Sequence, residues 1–268
     1  MSSSALLGTS MNMTEAGGAM SDVAQSSRSS LLDVIMARHN NLKDQKTHSR
    51  LLYVAKKTQK EFGEGSLSEN FHMQLFQKTG HKEDDFYGIL FEVQEYYVHI
   101  LEGTKDCIFD FLRMLNRAKN EDDFLKEIDY KILSVKILLY TDDSGPLSFP
   151  RWTCREIPPG VAIENDDDDF TNGAPLTKEE EKAGLMWIIK IQEIHQQLLA
   201  LGKKVMGLGI RQMSLFLDGL NQNFPQIIPR ESYIKDLAND CELCLNLSEF
   251  LEVYDQPITL DLYGENVW

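Results

Sequence analysis

The strongest constraint on this chain is the order in which its hydrophobic residues change period. Leu51–Ala55 (LLYVA) is a short β-type run. Ser66–Thr79 then carries Leu67, Phe71, Leu75 and Phe76 at helical spacing, with Ser66 and Ser68 as N-cap candidates and Glu69 completing a capping box with Ser66. Two strand-like runs follow, Phe86–Phe91 and Tyr96–Leu101, separated by Glu92–Glu95 and therefore predicted as a hairpin. Lys105–Lys119 repeats Ile108, Phe111, Leu112 and Leu115 along one helical stripe, and Ile132–Tyr140 is again a strand. Strand, helix, hairpin, helix, strand predicts an α+β, ferredoxin-like sheet with two helices on one face, over residues 48–158.

The flanking segments differ in kind. Residues 1–47 are predicted as a disordered Ser/Gly/Met/Ala tail ending in a short docking helix over Leu31–Leu42. After Pro158-Pro159-Gly160, residues 159–176 form an acidic linker. Its run Asp166–Asp169 lacks the spaced ligands and the glycine of a calcium loop. Residues 177–256 are a predicted C-terminal helical region. It opens on a capping box, Thr177–Glu180, and a stripe of Leu185, Ile188, Ile191, Ile194, Leu198 and Leu201. Met186 and Ile189 widen that stripe, which predicts cover on more than one side. Gly202, Gly207 and Gly209 predict a helix break, Pro225 and Pro229 bound a turn, and Glu231–Tyr254 is predicted as one further helix with Ile234, Leu237, Cys241, Cys244 or Leu245, and Phe250 inward. The tail 257–268 begins with the alternating segment Pro257–Leu262, suited to an edge strand or a docking strand.

The charge balance narrows the function. With 27 basic and 42 acidic residues the net charge is −15, which argues against nonspecific nucleic-acid binding and against an anionic membrane surface. No apolar run approaches a membrane span, no leader is visible, and four scattered cysteines are no disulfide framework. A soluble protein of a reducing cytoplasm is the expectation. No Gly-x-Ser-x-Gly, His-Glu-x-x-His or paired-carboxylate motif appears, and the glycines before Arg211 lack the lysine of a phosphate loop, so no enzyme is predicted. Cys241-x-x-Cys244 lacks the second ligand pair of a zinc site and the preceding strand of a redox motif. On a helix the two cysteines share a face as small apolar side chains. An acylphosphatase-type hydrolase would need an arginine-bearing loop after the first strand, and Lys56–Gly65 has none.

Four segments in order carry a family likeness: Tyr53 in the first strand, Gly88-Ile89-Leu90-Phe91, His99-Ile100-Leu101-Glu102-Gly103, and Phe149-Pro150-Arg151-Trp152-Thr153-Cys154. They resemble the BLUF domain, a blue-light sensor that holds FAD between two helices. Its pattern is Y-V-S, then I-T-G-L-L, then Q-V-L-E-G, then F-P-x-W-S-M. The family's photochemistry uses a tyrosine, a glutamine and an asparagine, because a carboxamide offers donor and acceptor in one plane. By this resemblance Tyr53 takes the tyrosine position, His99 the glutamine position, His81 the asparagine position, Trp152 the tryptophan and Cys154 the methionine. Phe86 and Tyr87 replace the small I-T pair. Two of the three switch residues are exchanged, so the resemblance implies a vestigial flavin pocket, with loss of light sensing and no cofactor. The alternative it leaves open is a flavin-binding sensor with altered chemistry. The segment 99–102, Tyr254-Asp-Gln-Pro-Ile and the terminal Val267-Trp268 also resemble the testis-expressed protein 47 group. That likeness implies a structural protein among partners in a larger assembly, in the axoneme of a cilium or sperm flagellum.

Overall fold

The computed structural model describes residues 47–58, 67–121, 130–142, 144–158 and 179–256, together with Ser30, Leu31 and Phe124. The chain divides into two units, Met1–Gln45 and Lys46–Trp268, and of the first only Ser30 and Leu31 are described. The predicted docking helix beyond Leu31, the acidic linker with Asp166–Asp169, the cap residues Ser66 and Thr177 of the two capping boxes and the segment Pro257–Leu262 lie outside the described residues.

Five strands make one sheet: β1 (Ser49–Lys57), β2 (Tyr87–Val93), β3 (Tyr96–Gly103), β4 (Ile132–Thr141) and β5 (Trp152–Glu156), in the order β4-β1-β3-β2-β5. The pairs β4–β1, β1–β3 and β3–β2 are antiparallel; β5 runs parallel to β2. With α1 (Leu67–Thr79) after β1 and α2 (Lys105–Asn120) after β3, this is the ferredoxin-like plan with a fifth strand added beside β2. That strand grows out of the Phe149–Cys154 segment, and its five residues, Trp152–Glu156, are too few to announce a strand by period. The hairpin is tighter than its sequence spacing implies. Val93 pairs with Tyr96, so only Gln94 and Glu95 form the turn, and Gln94 takes a positive φ of 53°. Glu92 joins the strand because Lys57 meets its carboxylate in a buried ion pair.

Alternation sends successive strand residues to opposite faces. The first face carries Leu51, Tyr53, Ala55, Tyr97 and Leu101 and is covered by Phe71, Leu75 and Phe76 of α1 and by Ile108, Phe111, Leu112 and Leu115 of α2. The Thr104 hydroxyl caps α2 by accepting from the Cys107 N–H at 3.3 Å. The second face carries Leu52, Val54, Ile89, Phe91, Val98 and Ile100. It is covered by the C-terminal helices α3 (Glu179–Val205), α4 (Ile210–Asp218), α5 (Leu220–Asn223) and α6 (Glu231–Asn239), through Ile194, Leu198, Leu201, Met213, Leu217, Ile234 and Leu237. Each fully buried Leu or Ile there contributes about 1.5–3 kcal/mol relative to exposure, so these helices are a third layer of the same fold.

Three expectations need correction here. The α3 stripe is buried only in its C-terminal half, whereas Leu185, Met186, Ile188 and Ile189 remain exposed in this chain. The break after α3 falls at Met206–Gly209 and takes in Gly207 and Gly209, but Gly202 stays helical; it is a glycine because a Cβ there would lie 2.6 Å from the carbonyl oxygen of Ser148. Glu231–Tyr254 is two helices, α6 and α7 (Leu247–Tyr254), not one. Between them the chain crosses the free edge of β4. The Ile137 N–H donates to the Leu245 carbonyl at 2.9 Å, and the Lys136 ammonium donates to the Cys241 carbonyl at 2.6 Å. Asn246 then caps α7 in a reciprocal box with Glu249, both bonds at 3.0 Å, and Leu247 and Phe250 enter the first-face core. One segment thus reaches both faces and shields an open sheet edge.

Candidate functional site

The first face holds a buried chain of polar rings. Tyr53 on β1 stands opposite His99 on β3, and β5 brings Trp152 to the same side. Four hydrogen bonds connect them: Trp152 Nε1 to His99 Nε2 at 2.8 Å, His99 Nδ1 to the Tyr53 hydroxyl at 2.9 Å, that hydroxyl to His72 Nε2 at 3.1 Å, and His72 Nδ1 to the Ser68 carbonyl at 2.7 Å. An indole N–H only donates and a backbone carbonyl only accepts, so both ends of the chain fix its direction. His99 Nε2 accepts from Trp152, His99 Nδ1–H donates to the Tyr53 oxygen, and Tyr53 O–H donates to His72 Nε2. His72 Nδ1–H then donates to Ser68. Every donor has one acceptor, provided both imidazoles are neutral.

Burial enforces that charge state. Tyr53, His72 and His99 have no exposed surface. Desolvation lowers His72 to about 4 and holds His99 well below the usual histidine range, with His72 pressing it further down. Burial, with Tyr97 beside it, raises the Tyr53 phenol well above its ordinary value, so it stays protonated. The rings pack as well as bond. His72 lies near parallel to both Phe111 and Trp152 at 6.1 Å, and Phe76 meets Trp152 edge-on at 5.1 Å. Phe86 stacks on Phe76 at 4.2 Å, so this enlarged position fills the interior beside α1. Tyr97 is buried beside Tyr53, their rings edge-on at 5.8 Å.

The structure brings Tyr53, His99 and Trp152 together as the sequence implied, with Cys154 buried in the same core. His81 does not join them. It lies beyond α1, partly exposed, with Nε2 2.9 Å from Asp110 Oδ2 on α2. His72 closes the chain instead, and sequence reasoning missed it. The available signal was its place in the α1 stripe, one residue after Phe71 and four before Phe76. Outside Trp152 a groove of about 420 Å³ runs between α1 and β2, lined by Glu69, Met73, Phe76, Tyr87 and Arg151 among others.

The second face explains another motif. Glu102 of the Leu-Glu-Gly segment is fully buried, accepts from Arg50 Nε at 2.7 Å, and accepts from the backbone N–H groups of Ser148 and Phe149 at 2.7 and 3.3 Å. It ties the β3 motif to the start of the Phe-Pro-Arg-Trp motif. His195 on α3 approaches this pair; burial lowers its pKa, and Arg50 adds to that. Cys241 and Cys244 lie in the crossover, not on a helical face, with their sulfurs 2.8 Å apart. Among the described residues no group of three His, Cys, Asp or Glu side chains is arranged to hold a metal, and no helix is long and apolar enough to cross a membrane.

Among solved structures the chain is similar to a bacterial light-regulated adenylyl cyclase, at 15% identity and a TM-score of 0.30, over 59% of this chain and 40% of that one. It is also similar to the photo-activated state of BlsA, at 14% identity and a TM-score of 0.29, over 65% of this chain and 95% of that one. A third is the dark state of BlrB, a BLUF protein, at 12% identity and a TM-score of 0.25, over 42% and 74%. The chain thus spans under half the length of the cyclase it matches. No curated protein matches it. The family model described as Testis-expressed protein 47 matches residues 47–256, which takes in the sheet, both of its faces and the crossover; the chain belongs to the testis-expressed protein 47 family.

Proposed function

We propose that this protein is a non-enzymatic interaction protein, in which an ancestral sensory core serves as scaffold and the bound chromophore has been replaced by the chain's own side chains. What carries the reading is the closed hydrogen-bond chain Trp152–His99–Tyr53–His72–Ser68. A sensing carboxamide must exchange partners with a flavin. Here the imidazole at His99 spends one nitrogen on Trp152 and the other on Tyr53, and His72, Phe76 and Phe111 occupy the space between α1 and α2. On this reading an isoalloxazine ring would enter only if His72 moved and gave up its bonds to Tyr53 and Ser68. The exposed apolar residues Leu185, Met186, Ile188 and Ile189 on α3 support a role in assembly. The family's description supports a setting in male germ cells, and the assembly we propose is the axoneme of a flagellum or cilium.

Two measurements test this. Protein purified with FAD supplied throughout should leave gel filtration colourless; flavin absorption bands in the protein peak would overturn the scaffold reading. In demembranated sperm the protein should stay with the axoneme after detergent extraction; full release into the detergent fraction would overturn the axonemal setting. The retained Tyr53–His99–Trp152 connection favours the second reading, a flavin sensor with altered chemistry, and the same column separates the two.

A further inference from the structure

From the crossover between α6 and α7 we infer that Cys241 and Cys244 are a reversible dithiol–disulfide pair that latches the chain across the β4 edge. The pair lies in the bend Asp240–Leu245, where the two sulfurs approach to 2.8 Å. That is a hydrogen-bonded thiol contact far inside ordinary sulfur packing. Closing it to the bonded length of about 2.05 Å requires a shift of less than about 1 Å. The backbone on both sides is already held by β4, through Lys136 Nζ to the Cys241 carbonyl at 2.6 Å and the Ile137 N–H to the Leu245 carbonyl at 2.9 Å. Little order remains to be gained on closure.

The two sulfurs differ in access, as an exchange mechanism needs. Cys241 is fully buried, whereas Cys244 is half-buried beside the exposed Leu243. Burial and the Cys241 thiol raise the Cys244 pKa, while Lys136 pulls it down. The oxidant named is a small-molecule disulfide, glutathione disulfide. The Cys244 thiolate attacks one of its sulfurs, that S–S bond breaks, and one glutathione thiolate leaves. The Cys241 thiolate then attacks the Cys244 sulfur of the mixed disulfide, forming the Cys241–Cys244 bond and releasing the second glutathione. Two electrons pass from the cysteine pair to the oxidant, and the two thiol protons end on the two glutathiones. Excess reduced thiol reverses both steps. The consequence is mechanical, because the bend joins α6 on one face of the sheet to α7 on the other.

The test uses the full chain, equilibrated with glutathione disulfide or with reductant, then denatured and alkylated. After oxidation the peptide holding both cysteines should lose two hydrogens and resist alkylation, while reductant restores two alkylated thiols. Cys241→Ser should stop the reaction at a glutathione adduct on Cys244. Native hydrogen exchange at the Ile137 amide should slow several-fold on oxidation. Recovery of two free thiols in that peptide after prolonged oxidation, or a stable adduct on Cys244 in the unaltered chain, would overturn the inference.

Discussion

The two faces of the sheet are built from the same strands and solve burial differently. On the first face, Tyr53, His72, His99 and Trp152 are buried polar rings that survive only because each nitrogen and hydroxyl along the chain has its partner. On the second face, Leu52, Val54, Val98 and Ile100 meet aliphatic side chains of the C-terminal helices, and the polar contacts lie around that apolar centre, at the Arg50–Glu102 corner, at Tyr96 with Asn239 and at Arg155 with Ser214. The difference teaches that a face can bury polar rings only where each is matched by a hydrogen bond. An aliphatic face needs only volume and apolarity.

The comparison can be broken at several points. The largest effect is expected at the polar corner. Glu102→Ala leaves Arg50 and two backbone N–H groups without their acceptor, and should cost about 4 kcal/mol in urea unfolding. A loss under about 1 kcal/mol would show that the corner is not what ties the two motifs.

Acid should attack the first face next. In the unfolded chain His72 titrates near 6.5 and in the fold near 4, so the unfolded state binds more protons between those values. Stability should therefore be flat above about pH 6.5 and fall as pH drops toward 4, by about 3 kcal/mol for His72 alone. His99 and His195, both lowered, act in the same direction. His72→Phe should make the acid limb shallower, and an unchanged limb would remove His72 from the account.

His99→Leu orphans the Trp152 N–H and the Tyr53–His99 bond, for about 2 kcal/mol. His99→Gln restores a donor and an acceptor and should recover at least half of that loss; equal losses for the two variants would mean that packing, not hydrogen bonding, governs the site. The smallest effect is expected at the surface pair. His81→Ala should change stability by less than about 0.5 kcal/mol, because His81 and Asp110 are both partly exposed.

Much of this was legible in advance. The short apolar run Leu51–Ala55 and the stripe of α2 fix their own elements, since strand and helix signals are local properties of side-chain sequence. Their order selects the ferredoxin-like plan, and the motif order brought out Tyr53, His99 and Trp152. Other features were written locally but outweighed. Asn246 with Glu249 is a helix start in plain view, hidden by the continuous apolar pattern of Glu231–Tyr254. What only the tertiary structure decided is which distant groups meet: that α1 offers His72 to Tyr53 while His81 turns to Asp110, that α3 to α6 cover the second face, and that two cysteines meet over the edge of β4. Periodicity assigns a residue to a face but not to a partner. Partners depend on how far each helix slides and turns on the sheet, and that is settled by the packing of the whole core.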